Sequence, residues 1–264
     1  MKLIDCHAHL EGERYKDDLE EVVKRAEENG LQAIICSGVN PSTNRAVLSL
    51  SKKHPMIKCS FGIYPVDAVA DKLNLSEETR HIEKFDVGKE LEWIEEHAND
   101  CVAIGEVGLD FKEIKDPKIQ KMQEEIFKKI IDLCIKLDKP IVVHSRSAEL
   151  RAIEILEEKK AKKVMMHCFS GKKNLIRRIA QNGWTCSVPA IITRLQHFKT
   201  LTELMPLEQL VTETDSPYLS PVAMTRNEPA NVSITISEIA KIKDMKEETV
   251  AKIMFENAKG LFGL

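Results

Sequence analysis

Short runs of β-branched and apolar residues alternate along the chain with longer stretches in which apolar positions recur every three or four residues. Eight short runs read as strands: KLIDCHA, LQAIICSG, IKCSFGIYP, CVAIGEVG, PIVVHSR, KVMMHCFS, WTCSV and QLVTETD. Helical stretches with recognisable boundaries lie between them. Residues 15–29 stop at Gly30, residues 42–53 follow Pro41, and residues 117–137 carry Ile119, Met122, Ile126, Ile130 and Leu133 on one face. Further helices are predicted over 88–97, 148–159, 174–182 and 195–205, and two more, 234–242 and 247–262, follow the last strand as outer helices. Such alternation requires a parallel sheet, and eight units in this length predict an α/β fold, a closed (β/α)8 TIM barrel, over an open doubly wound sheet. No Gly-rich fingerprint follows the first strand, which speaks against dinucleotide binding. With no linker or composition break, residues 1–264 are expected to form a single domain.

Composition then narrows the function. Hydrophobic residues make up 43% and charged residues 31%, the balance of an ordinary globular protein. The formal net charge of -3 draws no polyanion globally, so any nucleic-acid contact depends on a local field or on bound metal. Seven cysteines, mostly inside apolar runs and without a C-x-x-C pair, argue against both a zinc ribbon and a disulfide framework. No apolar run approaches the roughly 20 residues that a bilayer crossing needs, and no secretory leader is apparent, so the chain is expected in the cytoplasm, off the membrane and without an obligate protein partner.

The polar residues at strand ends change the picture. His7 and His9 stand two apart on the first strand, Glu106 ends VAIGE, His144 ends IVVH, His167 ends VMMH, and Asp215 ends LVTETD. In a barrel the C-terminal strand ends converge on one mouth. Any one of these residues could be a hydrogen-bonded rim group, with Glu106 in an ion pair and Asp215 as a helix cap. Four imidazoles and two carboxylates meeting together are better explained by two adjacent divalent cations. Asp5, deeper in the first strand, fits the barrel floor or support of a ligand, while His54, His81, His97 and His197 are expected at the surface.

The segments DCHAHL, AIGEVGLDF, IVVHSR, MHCFSG and ETDSPYL followed by RNEP, together with the ending FENAKGLFG, resemble the TatD family of metal-dependent deoxyribonucleases, in the amidohydrolase superfamily. The resemblance covers essentially the whole chain. It implies a TIM barrel and hydrolysis of DNA phosphodiesters with exonuclease character, using Mg²⁺, Mn²⁺ or Zn²⁺. Carried onto matching positions, it implies His7, His9, Glu106, His144, His167 and Asp215 as ligands, with Glu106 bridging two ions. Imidazole-rich ligation favours Zn²⁺, Ni²⁺ or Co²⁺, whereas phosphoryl chemistry favours Mg²⁺ or Mn²⁺. This chain departs from the family at FGIYPVD, where Tyr64 replaces a histidine common in relatives, and less so at HSRSA and VPAIITR. A phenol hydrogen-bonds a phosphate or leaving oxygen but is less readily tuned as a proton donor near neutral pH.

With two divalent ions the six-ligand cluster would carry about +2, which attracts a phosphate. Asp215 is the expected group to orient the attacking water and accept its proton. Glu213, on the same strand face, is a candidate catalytic base or an ion-pair partner. Tyr64, Arg146 and Arg226 are candidate substrate contacts, the two arginines as phosphate clamps. Lys172 and Lys173 are expected as a solvated helix start and Phe169 as packing under its loop. The leading function is hydrolysis of DNA, single-stranded or at its ends. Hydrolysis of a cyclic amide, lactone or phosphotriester is a second possibility, disfavoured because that chemistry often uses a modified lysine where Glu106 stands. A metal-holding scaffold without turnover is the third.

Overall fold

The computed structural model describes residues 1–73 and 84–264, so the expectation for His81 lies outside the described residues. Eight strands form one parallel sheet in sequential order: β1 (Leu3–Ala8), β2 (Leu31–Ser37), β3 (Ile57–Phe61), β4 (Cys101–Gly108), β5 (Ile141–His144), β6 (Val164–Met166), β7 (Thr185–Pro189) and β8 (Leu210–Glu213). The seam between β8 and β1 is closed largely by side chains and by the segment just beyond β8. Asp5 accepts hydrogen bonds from Thr214 N and Thr214 Oγ1, Thr212 Oγ1 donates to Ile4 O at 2.8 Å, and Asp215 N donates to His7 O at 2.9 Å. Asp5, considered for the barrel floor or for support of a ligand, stands at the β1–β8 seam and also accepts from His7 N at 3.3 Å, so it backs the strand segment that carries His7.

The helices among the described residues are α1 (Leu19–Glu28), α2 (Pro41–Lys53), α3 (Val87–Glu96), α4 (Pro117–Lys136), α5 (Glu149–Glu158), α6 (Lys173–Gln181), α7 (Gln196–Leu204), α8 (Val232–Lys243) and α9 (Glu247–Phe262). Their apolar stripes pack against the outward strand residues, forming the larger core. α2 begins with a capping box, Asn40 accepting from Thr43 N while the Thr43 hydroxyl accepts from Asn40 N. The first helix starts four residues later than its pattern predicts, because Tyr15 is not its first turn. Tyr15 is fully buried and its hydroxyl donates to the Asn227 carbonyl, which pins the preceding turn to the segment after β8.

A second, smaller core fills the barrel interior. Ile4, Ala33, Ile35, Ala103, Val142, Met165 and Val211 project inward and meet Ala258 and Phe262 of α9. The last helix is therefore more than an outer layer, since its C-terminal turn plugs the barrel floor. Alternation along the strands carries polar groups above this layer: His144 follows Val142 on the inward face, His167 follows Met165, and Glu213 and Asp215 follow Val211. β1 and β4 break strict alternation, with register irregularities between Asp5 and Ala8 and between Ile104 and Val107. These breaks lie where the two strands supply His7, His9 and Glu106.

Candidate metal centre

The six expected ligands converge at the C-terminal mouth. Nε2 of His7 and Nε2 of His9 approach to 3.1 Å, and both face Glu106 Oε2, at 3.6 and 3.5 Å. The other oxygen, Oε1, is 2.9 Å from His144 Nδ1 and 3.9 Å from His167 Nε2. Glu106 thus turns one oxygen to each imidazole pair. Asp215 Oδ1 lies 3.7, 3.6 and 4.0 Å from the Nε2 atoms of His7, His9 and His167.

Hydrogen bonds behind the cluster aim each ring. His9 Nδ1–H donates to Ser37 O at 2.9 Å, and His7 Nδ1 meets the Ser37 hydroxyl at 3.1 Å. His167 Nδ1–H donates to Glu213 Oε2 at 2.7 Å. Those three rings therefore present Nε2 inward. His144 is the reverse: Nε2–H donates to Asp110 Oδ2 at 3.0 Å, which leaves Nδ1 toward Glu106. An outer partner of this kind fixes tautomer and orientation in metal-ligating histidines.

Electrostatics follow from burial opposed by pairing. Burial works to raise the Glu106 pKa, yet hydrogen bonds from His144, His7 and His9 outweigh it and hold the carboxylate well below its usual range. Asp215 is lowered in the same way, burial being overcome by His9 and by the charge of His167. Burial would lower His167, but the Glu213 carboxylate raises it to about 9. His7, by contrast, is pushed down by burial and by neighbouring His167. In the chain alone, imidazole protons balance the buried carboxylates; ligation by a cation would replace them.

The donor set suits a divalent metal. Three trios, His7–His9–Glu106, Glu106–His144–His167 and His7–His167–Asp215, each place their ligand atoms within 4.8 Å of one another. Mixed imidazole and carboxylate ligation is what Zn²⁺, Mn²⁺ and similar ions take. At the same mouth Glu11 Oε2 is buried without a hydrogen-bond partner among the described residues, a further acceptor oriented by no protein donor.

The remaining candidates separate. Tyr64 and Arg146 line the cavity of about 670 Å³ above the cluster. The Tyr64 hydroxyl donates to Asp110 Oδ2 at 2.9 Å, and Arg146 pairs with Glu113 at 3.4 Å on the exposed rim. Arg226 is not brought to the cavity lining; its guanidinium holds Asp18 and the Arg14 carbonyl and lies over the Tyr15 ring. Glu213 is 0% exposed, with one oxygen on His167 and the other accepting from Cys168 N at 3.1 Å. Phe169 is buried beneath its loop, and Lys172 and Lys173 are exposed at the start of α6. His54, His97 and His197 are half-buried rather than surface groups, because each ring finds a partner. His54 Nε2 lies 3.4 Å from Glu20, His97 Nδ1 meets Trp93 O, and His197 Nε2 meets Phe169 O at 2.9 Å while lining the mouth.

Sequence reasoning missed Asp110, Glu11, Arg14 and Tyr218. Asp110 stood inside AIGEVGLDF, four residues after Glu106, and Tyr218 inside ETDSPYL; both follow the strand ends instead of closing them.

A parallel eight-stranded barrel with an imidazole and carboxylate cluster at its C-terminal mouth has the layout of a metal-dependent hydrolase. The profile of the TatD related DNase family matches residues 4–263, and the chain belongs to that family. A protein of Methanocaldococcus jannaschii named as an uncharacterized metal-dependent hydrolase is 37% identical over 262 residues, covering 99% of this chain and 97% of its own length. The human deoxyribonuclease TATDN3 is 31% identical over 268 residues, with 98% and 94% covered. Among solved structures, YJJV, a TatD homolog from Escherichia coli, superposes with a TM-score of 0.85 at 22% identity, covering 99% of this chain and 98% of that one, which supports the barrel assignment. The chain is a metal-dependent hydrolase of this family. No helix among the described residues is long and apolar enough to cross a membrane.

Proposed function

We propose that this protein hydrolyses phosphodiester bonds of DNA, at single-stranded segments or ends, with two divalent ions at the barrel mouth. The observation that carries this reading is Glu106, whose two oxygens each face a separate pair of imidazoles. Divalent ions bound there would polarise phosphoryl oxygens and lower the pKa of water. His7, His9, Glu106, His144, His167 and Asp215 are the residues that would hold them.

The chain's own groups do the rest. Asp215 is 15% exposed to the cavity, so a water above it can be oriented by its carboxylate and pass a proton to it. Glu213 has no such access; it positions His167 instead of acting as a base. Arg146, at the cavity rim, is placed to meet a phosphate, at the cost of its weak exposed pairing with Glu113. Arg226 serves the turn before α1 in this arrangement. Free thiols throughout suit a reducing compartment and support a cytoplasmic setting.

End-labelled single-stranded DNA tests the reading. Metal-loaded protein is expected to release nucleotides, with release abolished by a chelator and by His144→Ala. Intact DNA in the presence of brisk amide or lactone hydrolysis would overturn it.

A further inference from the structure

Two residues at the cavity mouth have no part in the cluster and are not used up by the fold. Arg14, in the turn between β1 and α1, and Tyr218, just beyond β8, both line the cavity that contains His9 and Asp215. Tyr218 is 53% exposed. Its ring centre lies 6.3 Å from that of His9, the planes inclined at 68°. The Arg14 guanidinium carbon is 5.3 Å from the centre of the same ring.

Arg14 differs from its neighbours in how it is paired. Arg226 is bound by Asp18 and Arg146 by Glu113, whereas Arg14 has no carboxylate partner among the described residues. Of the nearby acids, Glu13 binds Lys16 at 2.6 Å, and Glu11 points its Oε1 toward His9 Nδ1, 3.8 Å away, and not toward the guanidinium. The backbone carrying the cation is held, since the Arg14 carbonyl accepts from Arg226 and the adjacent Tyr15 is buried and bonded to Asn227 O. Tyr218 is held as well, its N–H donating to Asp215 O at 2.8 Å. A cation and an aromatic ring on anchored backbone thus stand together at the mouth, the guanidinium over the ring, Tyr218 three residues after Asp215 and Arg14 five after His9.

We propose that Arg14 and Tyr218 form a nucleotide subsite, the tyrosine ring stacking on a nucleobase and the guanidinium binding the phosphate joined to it. This rests on the DNA reading above and adds to it the reason for a preference among DNA forms. A base inside a duplex is already stacked on both faces, so only an unpaired or frayed one can lie on Tyr218. Stacking on an aromatic face tolerates any base, so the subsite selects single strands without selecting sequence. Arg14, contacting phosphate, adds affinity that falls with salt.

The test compares wild type with Tyr218→Ala, Tyr218→Phe, Arg14→Ala and Arg14→Lys. The substrates are a single-stranded oligonucleotide and the same strand with abasic sites at its terminal positions. Tyr218→Ala is expected to raise KM for the normal strand about tenfold, with Tyr218→Phe restoring it. Abasic sites should cost wild type a similar factor and cost Tyr218→Ala little more, because both remove one contact. Arg14→Ala should lower the slope of log KM against log salt by about 0.7, with Arg14→Lys keeping most of it. Fluorescence anisotropy of the labelled strand under chelator reads binding without turnover, and metal stoichiometry should be the same in all five proteins. Equal KM and equal anisotropy for Tyr218→Ala and wild type would overturn the subsite. If wild type leaves DNA uncut, the functional reading fails separately, and the anisotropy comparison still decides whether these two residues bind a strand.

Discussion

One oxygen of Asp110 accepts hydrogen bonds from both the Tyr64 phenol and the His144 imidazole. Burial works to raise the Asp110 pKa, and the bonds from His144, Glu113 N and Tyr64 bring it below its usual value, so it stays an ionised acceptor. The family resemblance implies a histidine where this chain has Tyr64, and a phenol there is expected to bond a phosphate or leaving oxygen. In the structure the Tyr64 hydroxyl donates to Asp110 and also lies 3.3 Å from His144 Nε2, at the wall of the cavity. Asp110→Asn is expected to weaken metal affinity by about tenfold to a hundredfold in calorimetric titration, the circular dichroism unchanged, since an amide can donate to Nε2 and shift the proton to the nitrogen facing Glu106. Unchanged affinity would deny Asp110 this orienting role. The six donors were legible at this scale because strand ends announce themselves in sequence. The residue that aims one of them was not, since a carboxylate in a loop has no periodicity to mark it.

Elements place these groups through close backbone approach. Gly108, the last residue of β4, has φ +138, and a Cβ built there would lie 2.0 Å from the His144 carbonyl oxygen. Only glycine lets β4 and β5 converge here, which ties the position of His144 to that of Glu106. Gly108→Ala is expected to destabilise the fold by roughly 1–3 kcal/mol, seen as a fall of several degrees in Tm, and to reduce metal affinity with it. A variant as stable as wild type would show that the two strands can separate without cost. Strands and helices were largely legible from period and capping, and eight strands in chain order are what the alternation predicts. The errors lie where distant contacts override local pattern. Tyr15 looks helical in sequence but is taken by Asn227, and α9 looks like an outer helix but sends Phe262 into the barrel floor.

For the whole molecule, the cluster couples stability to proton and metal concentration. His167, raised to about 9, and Asp5, raised to about 8 chiefly by burial, both bind protons more tightly when folded. Such groups contribute stability at low pH that disappears as pH rises through the folded values. Glu106 and Asp215, held below their usual range, act in the opposite sense, and their contribution is lost in acid. Protein stripped of metal is therefore expected to lose thermal stability between about 6.5 and about 9 on the pH scale. Added Mn²⁺ should raise Tm more at the upper end, because ligation requires deprotonated imidazoles. A metal-induced gain that shrinks with rising pH would contradict the ligand set. The barrel was legible at this scale from sequence, but its seam was not, because Asp5 and Thr214 meet only in three dimensions.

That seam has a consequence for synthesis. His7 and His9 leave the ribosome about two hundred residues before Asp215 and the Thr214 that bonds Asp5. A nascent chain can hold fragments of the centre but cannot assemble it until its eighth strand has emerged. A complete metal-binding centre would then be acquired in a single late event.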